Sequence, residues 1–284
     1  MNSEPSTVIG VDLGGTNVRA GRVEQTAIAA HASRPISSRA AAGVVVEEIF
    51  ATIAEVFTPD VAGIGIGVPS IVDVEKGIVF TVENIPSWQE VHLKDLLEKR
   101  FKVPAFVNND ANCFALGEFY FGKGRGSRHM LGLIIGTGIG AGVIVNGHLY
   151  AGANCGAGEI GTIPYKDHTI EYYASGSAFK NLYGENGNDL FVRASQGDAS
   201  ALDIFASHGR EVGHVIMTAL YAYDPEIIVL GGSVSKAFAF YEKTMYEKLT
   251  SFAYQTALKR LKVVVSEEPQ VAILGAAGLV LDDA

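Results

Sequence analysis

The chain has 284 residues, of which 48% are hydrophobic and 19% are charged, so it has enough apolar material for a buried core and is not disordered throughout. The formal net charge of −9 argues against a general nucleic-acid binder, which needs a basic surface to neutralise phosphates. The two cysteines are too few for a disulfide framework or a four-thiolate zinc site, and they favour a reducing compartment. The start Met1–Pro5 lacks the basic region of a signal peptide, and no apolar run reaches the roughly 18 residues that cross a bilayer. We therefore expect a cytoplasmic globular protein that binds neither nucleic acid nor membrane.

Strands and helices alternate in the first part of the chain. Apolar alternation and β-branched residues predict strands over Thr7–Asp12, Val18–Val23, Ala62–Pro69 and Val103–Asn108. Apolar residues at helical spacing predict helices over Val44–Phe57, Leu93–Phe101 and from Asn109 or Asp110 to about Phe121. The first two strands are expected to pair antiparallel across a glycine turn.

The same strand, turn, strand pattern returns later in the chain. Strands are predicted over Met130–Ile135, Ala141–Val145, Glu226–Leu230 and Leu261–Val265, with a hairpin turn at Asn146-Gly147. Helices are predicted over Gly176–Tyr183, Asp198–Tyr223, Phe238–Phe252 and Ala272–Leu281. The alternation predicts an α/β protein with an internal duplication, whose two halves pack across a cleft.

Two glycine-rich turns occupy matching places in the two halves. The first is Asp12-Leu13-Gly14-Gly15-Thr16 and the second is Gly136-Thr137-Gly138-Ile139-Gly140. Glycine permits a left-handed backbone and a close approach of phosphate, which the backbone N–H groups of such a turn can bind. Asp12 could hold Mg²⁺ through water; the alternative is a tight hairpin in which Asp12 bonds to its own turn. Neither segment fits the GxxxxGK[ST] pattern or the GxGxxG turn that opens a helix.

Asn109 and Asp110 lie where a predicted strand gives way to a helix. The N-terminus of a helix favours an anionic carboxylate, and an ionised Asp110 is able to accept a hydroxyl proton. Asn109 could bind the same ligand. The alternative is structural, because aspartate is a common N-cap.

Further polar residues are candidates for binding hydroxyl groups. Glu159 and Glu171 accept hydrogen bonds and suit pairs of sugar hydroxyls, although each could instead be a solvated loop residue. Asn84 and Trp88 could add a polar contact and an apolar wall, unless Trp88 lies in the core. The histidines show no metal-ligand spacing, and we expect them to be packing or surface residues.

The order and spacing of these motifs resemble the ROK family (repressors, uncharacterised frames and sugar kinases) of the actin-like ATPase and sugar-kinase superfamily. The resemblance covers nearly the whole chain. It rests on Asp12–Thr16, Gly67-Val68-Pro69 with Val72-Asp73, Asn109–Asn112 with Gly117-Glu118, Gly136–Gly142, Gly158–Gly161, Glu171 with Ser175-Gly176, and Gly231-Gly232-Ser233.

This resemblance implies a two-lobed fold with duplicated ribonuclease-H-like domains, residues 1–111 and 112–271, and a C-terminal helix at 272–284 that returns to the first lobe. It also implies transfer of a phosphoryl group from ATP to the 6-hydroxyl of a hexose. Asp110 would be the general base, and the sugar would also be bound by Asn84, Asn109, Glu159 and Glu171. The ATP phosphates would be bound by Asp12, Gly14, Gly15, Thr16, Gly136, Thr137, Gly138 and Gly140, with Mg²⁺ near Asp12. The adenosine would be bound by Gly231, Gly232 and Ser233.

The sequence departs from the family pattern at three points. Many members have a histidine after the Gly-Glu-x-Gly motif and then a three-cysteine zinc loop, whereas this chain has Thr162 and a short Ile163–Ile170 without cysteine. We therefore expect no structural zinc and a less strict selectivity for glucose. Ser70 replaces a common glycine at the sugar pocket. Because the first strand is predicted to begin by Thr7, we expect no helix-turn-helix like that of the repressor members.

The resulting hypothesis is a glucokinase-type enzyme, with N-acetylglucosamine, N-acetylmannosamine, mannose or fructose as alternative acceptors. A second class is a sugar-sensing regulator without turnover, which the presence of Asp110, Asp12 and both turns disfavours. A third class, an assembling actin-like ATPase, is disfavoured by the residues of the hexose pocket. The resemblance also suggests a homodimer, although no interface can be identified in the sequence.

Overall fold

The computed structural model describes residues 7–282, so the expectation about Met1–Pro5 lies outside the described residues. The strands are β1 (Thr7–Leu13), β2 (Asn17–Glu24), β3 (Ala27–Pro35), β4 (Val61–Val68), β5 (Val72–Asp73), β6 (Ile78–Val82), β7 (Ile85–His92), β8 (Ala105–Asn109), β9 (Met130–Ile135), β10 (Ile139–Val145), β11 (His148–Leu149), β12 (Pro164–Tyr165), β13 (His168–Thr169), β14 (Ile227–Gly231) and β15 (Lys262–Val265). The helices are α1 (Ala42–Ala54), α2 (Leu93–Phe101), α3 (Asp110–Tyr120), α4 (Ile170–Ala174), α5 (Ala178–Tyr183), α6 (Gly187–Ser195), α7 (Ala199–Tyr223), α8 (Phe238–Leu249), α9 (Gln255–Leu258) and α10 (Val271–Asp282). Within residues 7–282 no helix is both long and apolar enough to cross a membrane.

The chain forms two compact units. The first contains the residues up to Gly126, the segment His148–Ala157 and the residues from Glu268 onward; the second contains Ser127–Gly147 and Gly158–Glu267. The predicted lobe boundaries, after residue 111 and before residue 272, stay a prediction. Helix α3, which begins just before the first of these boundaries, lies within the first unit.

The first unit is built on a sheet in the order β3-β2-β1-β4-β8. Strand β1 pairs antiparallel with β2 and parallel with β4, and β4 pairs parallel with β8. The predicted strands and helices of this unit are confirmed, with small shifts at their ends. The sequence pattern misses β3, because this edge strand exposes most of its side chains and therefore carries little apolar alternation.

The second unit repeats this plan. The second five-stranded sheet has the order β11-β10-β9-β14-β15; β10 is antiparallel to β9, and β14 is parallel to both β9 and β15. The order and directions of β10-β9-β14-β15 are those of β2-β1-β4-β8 in the first unit. The predicted duplication is therefore confirmed at the level of topology.

Several short elements are absent from the sequence-based prediction. They are the small sheet β5-β6-β7, strand β11, the hairpin β12-β13, and helices α4, α6 and α9. Most of these elements contain too few residues to establish a clear apolar period. The longer two lack the expected period: β7 buries every third residue rather than every second, and α6 buries only Leu190 and Ala194. Trp88, on β7, is fully buried and belongs to the hydrophobic core of the first unit. Its expected role as an apolar wall for a ligand is therefore wrong, and the core alternative is confirmed.

Two glycines allow helix α10 to pack closely on the first sheet. Gly10 of β1 and Gly65 of β4 are neighbours in the parallel register. A Cβ atom at Gly10 would overlap the backbone carbonyl oxygen of Ile273, and one at Gly65 would overlap that of Ala276. The helix backbone therefore lies directly against the two central strands.

Substituting Gly65 by alanine should destabilise the first unit, because the added methyl group has to displace the backbone of α10. The expected cost is about 1–3 kcal/mol or more, as for other overpacked cores. Gly43→Ala is the control, since nothing lies within 4 Å of a Cβ at this position of α1 and alanine favours helix. Urea unfolding should show a lower midpoint for G65A alone. Equal midpoints for G65A and the wild type would contradict the close packing.

His208 lies on α7 in the core of the second unit and is 2% exposed. Its ring packs on Phe179 with centroids 4.6 Å apart, and its Nε2 has no hydrogen-bond partner among residues 7–282. Burial lowers the pKa of His208 to about 4. His214, on the same helix, stacks on Tyr165 instead. The expectation of packing roles for these two histidines is confirmed.

The buried His208 predicts a pH dependence of stability. The unfolded chain binds a proton near the ordinary pKa of 6.5, whereas the folded chain does so only near about 4. The free energy of unfolding should therefore fall as the pH drops through this window, by up to about 1.4 kcal/mol per pH unit from this residue. His208→Phe should remove this part of the slope, and the exposed His31→Phe should not. Urea unfolding at several pH values measures how the free energy of unfolding changes with pH. Identical slopes for the wild type and H208F would rule out a neutral, buried His208.

Candidate active site

Predicted site segments meet at one edge of the first sheet. Asp12 on β1 is the register partner of Gly67 on β4, and Val68 is the partner of Asn109 on β8. Because these parallel strands end at the same edge, Asp12 and the start of α3 lie about 10 Å apart, or two strand spacings. The carboxyl ends of the strands are where open α/β sheets bind ligands.

The turn after β1 presents backbone N–H groups at this edge. Gly14 N donates to Asn17 O at 2.9 Å, which closes the turn. Among residues 7–282, the N–H groups of Gly15 and Thr16 have no acceptor. Two successive N–H groups of this kind form a site for an anion such as phosphate.

Asn84 lies against the same turn. It is exposed between β6 and β7, and its side-chain atoms lie 3.0 Å from the position of a Cβ at Gly15. Neither Gly14 nor Gly15 has a positive φ. The left-handed backbone that glycine permits is therefore not used here, and the missing side chain of Gly15 instead makes room for Asn84.

Asp12 is paired with a cation of its own hairpin. Arg19 is its register partner on β2, and Arg19 Nε donates to Asp12 Oδ2 at 2.9 Å, with a second short contact from Nη2. Within residues 7–282, Asp12 Oδ1 has no partner and can accept a hydrogen bond from a water bound to Mg²⁺. A single carboxylate fits this ion, which usually keeps several waters. The part of the chain that the structure describes contains no group of three or more His, Cys, Asp or Glu side chains that could hold a metal ion.

Helix α3 begins at the carboxyl end of β8, and its N-cap is Asn109 rather than Asp110. Asn109 Oδ1 accepts from Ala111 N at 2.8 Å, and Asn109 Nδ2 donates to Ser70 O at 3.2 Å. Asp110 is the first helical residue, is half-buried, and also accepts from Ala111 N, at 2.9 Å. The N-cap alternative for Asp110 is therefore wrong. Its carboxylate lies at the positive end of the helix, which stabilises the anionic form.

Buried amides fix the backbone beside Asp110. Asn108 and Asn112 are each 2% exposed, and Asn112 Nδ2 donates to Asn108 Oδ1 at 2.8 Å. The Cys155 Sγ lies 3.3 Å from the same oxygen.

Burial, with smaller contributions from nearby charges that include Asp110, raises the pKa of the Cys113 thiol. Both cysteines are therefore buried structural residues.

Ser70, at the departure from the family glycine, connects two parts of the first unit. Its hydroxyl donates to Thr81 O at 3.0 Å and makes a shorter contact with Phe80 O, both on β6. Its own carbonyl accepts from Asn109, as above. Ser70 thus joins the small sheet to the strand ends that position Asp110.

The second unit has an equivalent turn after β9. Gly136 N donates to Gly138 O at 3.0 Å, whereas the N–H groups of Thr137 and Gly138 have no acceptor among the described residues. None of the glycines in this turn has a positive φ. Strand β14 ends at the same edge, because its Gly231 is the register partner of Ile134 on β9.

A pocket of about 360 Å³ lies at this edge of the second unit. Residues from both predicted nucleotide segments line it, together with residues that the sequence analysis missed. The lining includes Gly136, Thr137, Gly176, Ser177, Phe179, Asn186, Asn188, Phe191, Ser233, Val234 and Lys236. No motif marks Asn186 or Asn188: Asn186 is the N-cap of α6, which was not predicted, and Asn188 lies in its first turn. Lys236 was missed because two residues separate it from the Gly-Gly-Ser motif. Gly232 has φ +85° and passes so close to β9 that a Cβ would overlap Ile135 O, so only glycine fits there.

Glu159 and Glu171 are also residues of the second unit. Glu171 lies in α4 and is half-buried; Glu159 precedes a 3₁₀ turn and is exposed as a residue, although its carboxyl group is partly desolvated. That desolvation, and to a smaller extent the negative charge of Glu171, raise the pKa of Glu159. Thr162, at the position of the family histidine, donates its hydroxyl to Glu159 O at 2.8 Å. Its side chain is thus held within its own turn.

The segment that would correspond to the family zinc loop is the hairpin β12-β13. Lys166 adopts φ +52° at its turn. Lys166 Nζ pairs with Glu211 Oε1 of α7 at 2.7 Å. Beside it, Tyr165 stacks on His214 with centroids 4.0 Å apart. Ionic and aromatic contacts therefore attach this hairpin to the helix.

Neutralising Glu171 should lower the pKa of Glu159, because the charge of Glu171 is one of the two causes of its raised value. In Glu171→Gln the value should nevertheless stay above the ordinary one, since desolvation is the larger cause. Carbon-13 NMR titration of the glutamate carboxyl groups measures the change. Glu242→Gln, an exposed residue of α8 that does not contribute to the shift, is the control. An unchanged Glu159 value in E171Q would show that the two carboxylates do not interact.

The fold and these strand-end sites define a protein of the actin-like and sugar-kinase class. The sequence matches the ROK family over residues 8–283, so the chain belongs to the ROK family. Among solved structures, a ROK family glucokinase from Streptomyces griseus, determined in complex with glucose and AMPPNP, is 28% identical. The match covers 96% of this chain and 98% of that one, with a TM-score of 0.78. The predicted fold class is thus confirmed.

Related sequences have more than one role. The glucokinase of Thermotoga maritima is 32% identical, over 96% of both chains. The xylose repressor of Bacillus subtilis is 30% identical over 78% of this chain and 61% of the repressor. An N-acetyl-D-glucosamine kinase of Photobacterium profundum is 31% identical over 63% of this chain and 68% of that protein.

Proposed function

We propose that this protein is an ATP-dependent hexokinase that transfers the γ-phosphoryl group to the 6-hydroxyl of glucose or a related hexose. The observation that carries the proposal is the pair of equivalent turns, one at the carboxyl edge of each sheet, whose successive N–H groups have no acceptor among the described residues. In the first unit Asp110 lies at the same edge as the turn. The full-length similarity to the Thermotoga maritima glucokinase supports a sugar as the acceptor.

The nucleotide would be bound largely through backbone groups. In the second unit, the N–H groups of Thr137 and Gly138 face phosphate oxygens, Gly136 and Gly140 allow their close approach, and Gly231, Gly232 and Ser233 contact the adenosine. Lys236 adds a positive charge at the pocket. In the first unit, Gly14, Gly15 and Thr16 contribute further N–H groups and a hydroxyl, and Asp12 Oδ1 accepts from water on Mg²⁺. Bound Mg²⁺ would neutralise charge on the phosphate oxygens.

The sugar would be oriented by side chains that accept and donate hydrogen bonds. Asn84, Asn109, Glu159 and Glu171 are assigned to its hydroxyls, and Asp110 to the 6-hydroxyl. Phosphoryl transfer requires little covalent chemistry from the protein, so the role of Asp110 is to orient the attacking oxygen and to take its proton as the bond to phosphorus forms. The N-terminus of α3 keeps the carboxylate in the anionic form that this role needs.

Asp110→Asn should lower kcat by about 10²–10⁴-fold, the usual contribution of a general base. Because asparagine keeps an oxygen for the Ala111 N–H group, the fold and hexose binding should persist. A coupled assay of ADP release measures turnover, and calorimetry measures hexose binding. Asp95→Asn, an acidic residue in the first turn of α2, is the matched control. Turnover within a few-fold of the wild type would refute the assignment of Asp110 as the base.

Two narrower alternatives concern the acceptor and the presence of turnover. The N-acetyl-D-glucosamine kinase relative favours testing N-acetylhexosamines beside glucose, mannose and fructose. The xylose repressor relative favours testing binding without turnover. A panel of these sugars, assayed for ADP release and for binding, distinguishes a kinase from a sugar-responsive regulator. The same preparation, analysed by light scattering, tests the proposed homodimer.

A further inference from the structure

Glu171 touches the phosphate-binding turn of its own unit directly. Its Oε2 accepts a hydrogen bond from Ile139 N at 3.2 Å. The same oxygen would lie 2.9 Å from a Cβ at Gly138, so a larger residue at this position would force the end of the Glu171 side chain to shift. Oε1 has no partner among residues 7–282 and remains available to a ligand hydroxyl.

The residues that follow Glu171 hold the neighbouring peptide groups of the turn. Gly176 N donates to Gly136 O at 2.7 Å, and the Ser177 hydroxyl donates to Thr137 O at 2.7 Å. In a planar trans peptide the N–H group points opposite to the C=O group. Binding these two carbonyls on one side therefore directs the N–H groups of Thr137 and Gly138 to the other side, where they are unbonded.

Glu171 fixes the third peptide group of the turn, between Gly138 and Ile139. With Ile139 N bound to the carboxylate, the carbonyl of Gly138 points the opposite way and accepts from Gly136 N at 3.0 Å. Three successive peptide groups are thus oriented by one segment, Glu171–Ser177. Without Glu171, the N–H side of the third group loses its partner, and only the hydrogen bond from Gly136 N to Gly138 O still restrains its rotation.

We propose that Glu171 is a positioning residue for nucleotide binding, acting through the phosphate-binding turn even when no sugar is bound. The proposal rests on the proposed kinase function and adds to it, since the family resemblance assigns Glu171 to the sugar alone. The single carboxylate of Glu171 would then serve both ligands. Its Oε2 orients the turn that binds the nucleotide, and its Oε1 is left for a sugar hydroxyl.

Charge and hydrogen bonding predict opposite effects of removing Glu171. A carboxylate close to bound phosphate repels it, so loss of charge alone should tighten nucleotide binding. Loss of the hydrogen bond to Ile139 N should weaken it. Glu171→Gln removes the charge but keeps an acceptor oxygen, whereas Glu171→Ala removes both, and the comparison of these two variants isolates the hydrogen bond.

The test is calorimetric binding of AMPPNP with magnesium chloride to the full-length protein in the absence of sugar. We expect E171Q to bind as tightly as the wild type or more tightly, and E171A to bind roughly 3- to 10-fold more weakly than E171Q, the range for one lost hydrogen bond. The control is Glu242→Ala, because Glu242 is an exposed acidic residue on α8 of the same unit and has no assigned role in binding; this variant should bind AMPPNP like the wild type. Equal affinities of E171A and E171Q would overturn the proposal.

A second measurement covers the case in which E171A folds poorly. Gly138→Ala should weaken AMPPNP binding in the wild-type background, since the new Cβ meets Glu171 Oε2. In the Glu171→Asp background, whose side chain is one methylene shorter and withdraws the carboxylate from the new Cβ, the added effect of G138A should be smaller. Additive effects in this double-mutant cycle would show that the two residues are not coupled and would contradict the proposal.

Different results would disprove the kinase function and the positioning role of Glu171. If the wild type releases no ADP with any sugar of the panel and binds no AMPPNP, the kinase function is wrong. If the wild type does both, but E171A and E171Q have the same sugar-free affinity and the same KM for ATP, only the positioning role is wrong.

Discussion

The arrangement of both candidate sites depends on parallel strand pairing. Parallel strands end together, so the register of β1, β4 and β8 brings Asp12 and Asp110 to one edge, and the register of β9 and β14 brings the second turn beside Gly231. At these ends the backbone leaves the ladder, and a few N–H groups have no partner in the part of the chain that the structure describes. Such groups are costly to bury and are satisfied by water or by an anion.

Backbone recognition suits an acidic chain. A protein with a net charge of −9 repels polyphosphates at long range, and Arg19, on the strand that follows the first turn, is already paired with Asp12. Peptide N–H groups can bind phosphate without adding positive side chains, provided that the peptide groups are held in one orientation. In the second unit the segment Glu171–Ser177 supplies that orientation.

The two turns are stabilised by different contacts although their topology is the same. The first is covered by the amide side chain of Asn84, which fits because Gly15 has no Cβ. The second is held by a carboxylate and by Gly176 and Ser177. In both, a residue assigned to the sugar contacts a turn assigned to the nucleotide. The hairpin that takes the place of the family zinc loop likewise uses an ion pair and stacked rings.

Much of this fold follows from local sequence. The strand pairs around Gly14-Gly15 and Gly136–Gly140, the helix that begins at Asp110, and the duplication are all predicted by apolar periodicity and turn residues, because each of these signals is contained within a few neighbouring positions. The short sheet β5-β6-β7 and the edge strand β3 are not, because their stability comes from packing and pairing with distant segments rather than from a pattern of their own.

For the site, the residue types that stand at the strand ends can be read from the chain alone, and the family resemblance added their roles. The contacts that these residues make depend on the folded units. The tertiary structure made Asn109 the N-cap in place of Asp110, paired Asp12 with Arg19, and placed Lys236 in the pocket. It also joined Glu171 to Ile139. Most of these contacts join residues of different elements, and the N-cap of α3 is a choice between two neighbouring residues. In both cases the partners are settled only when the whole unit has folded.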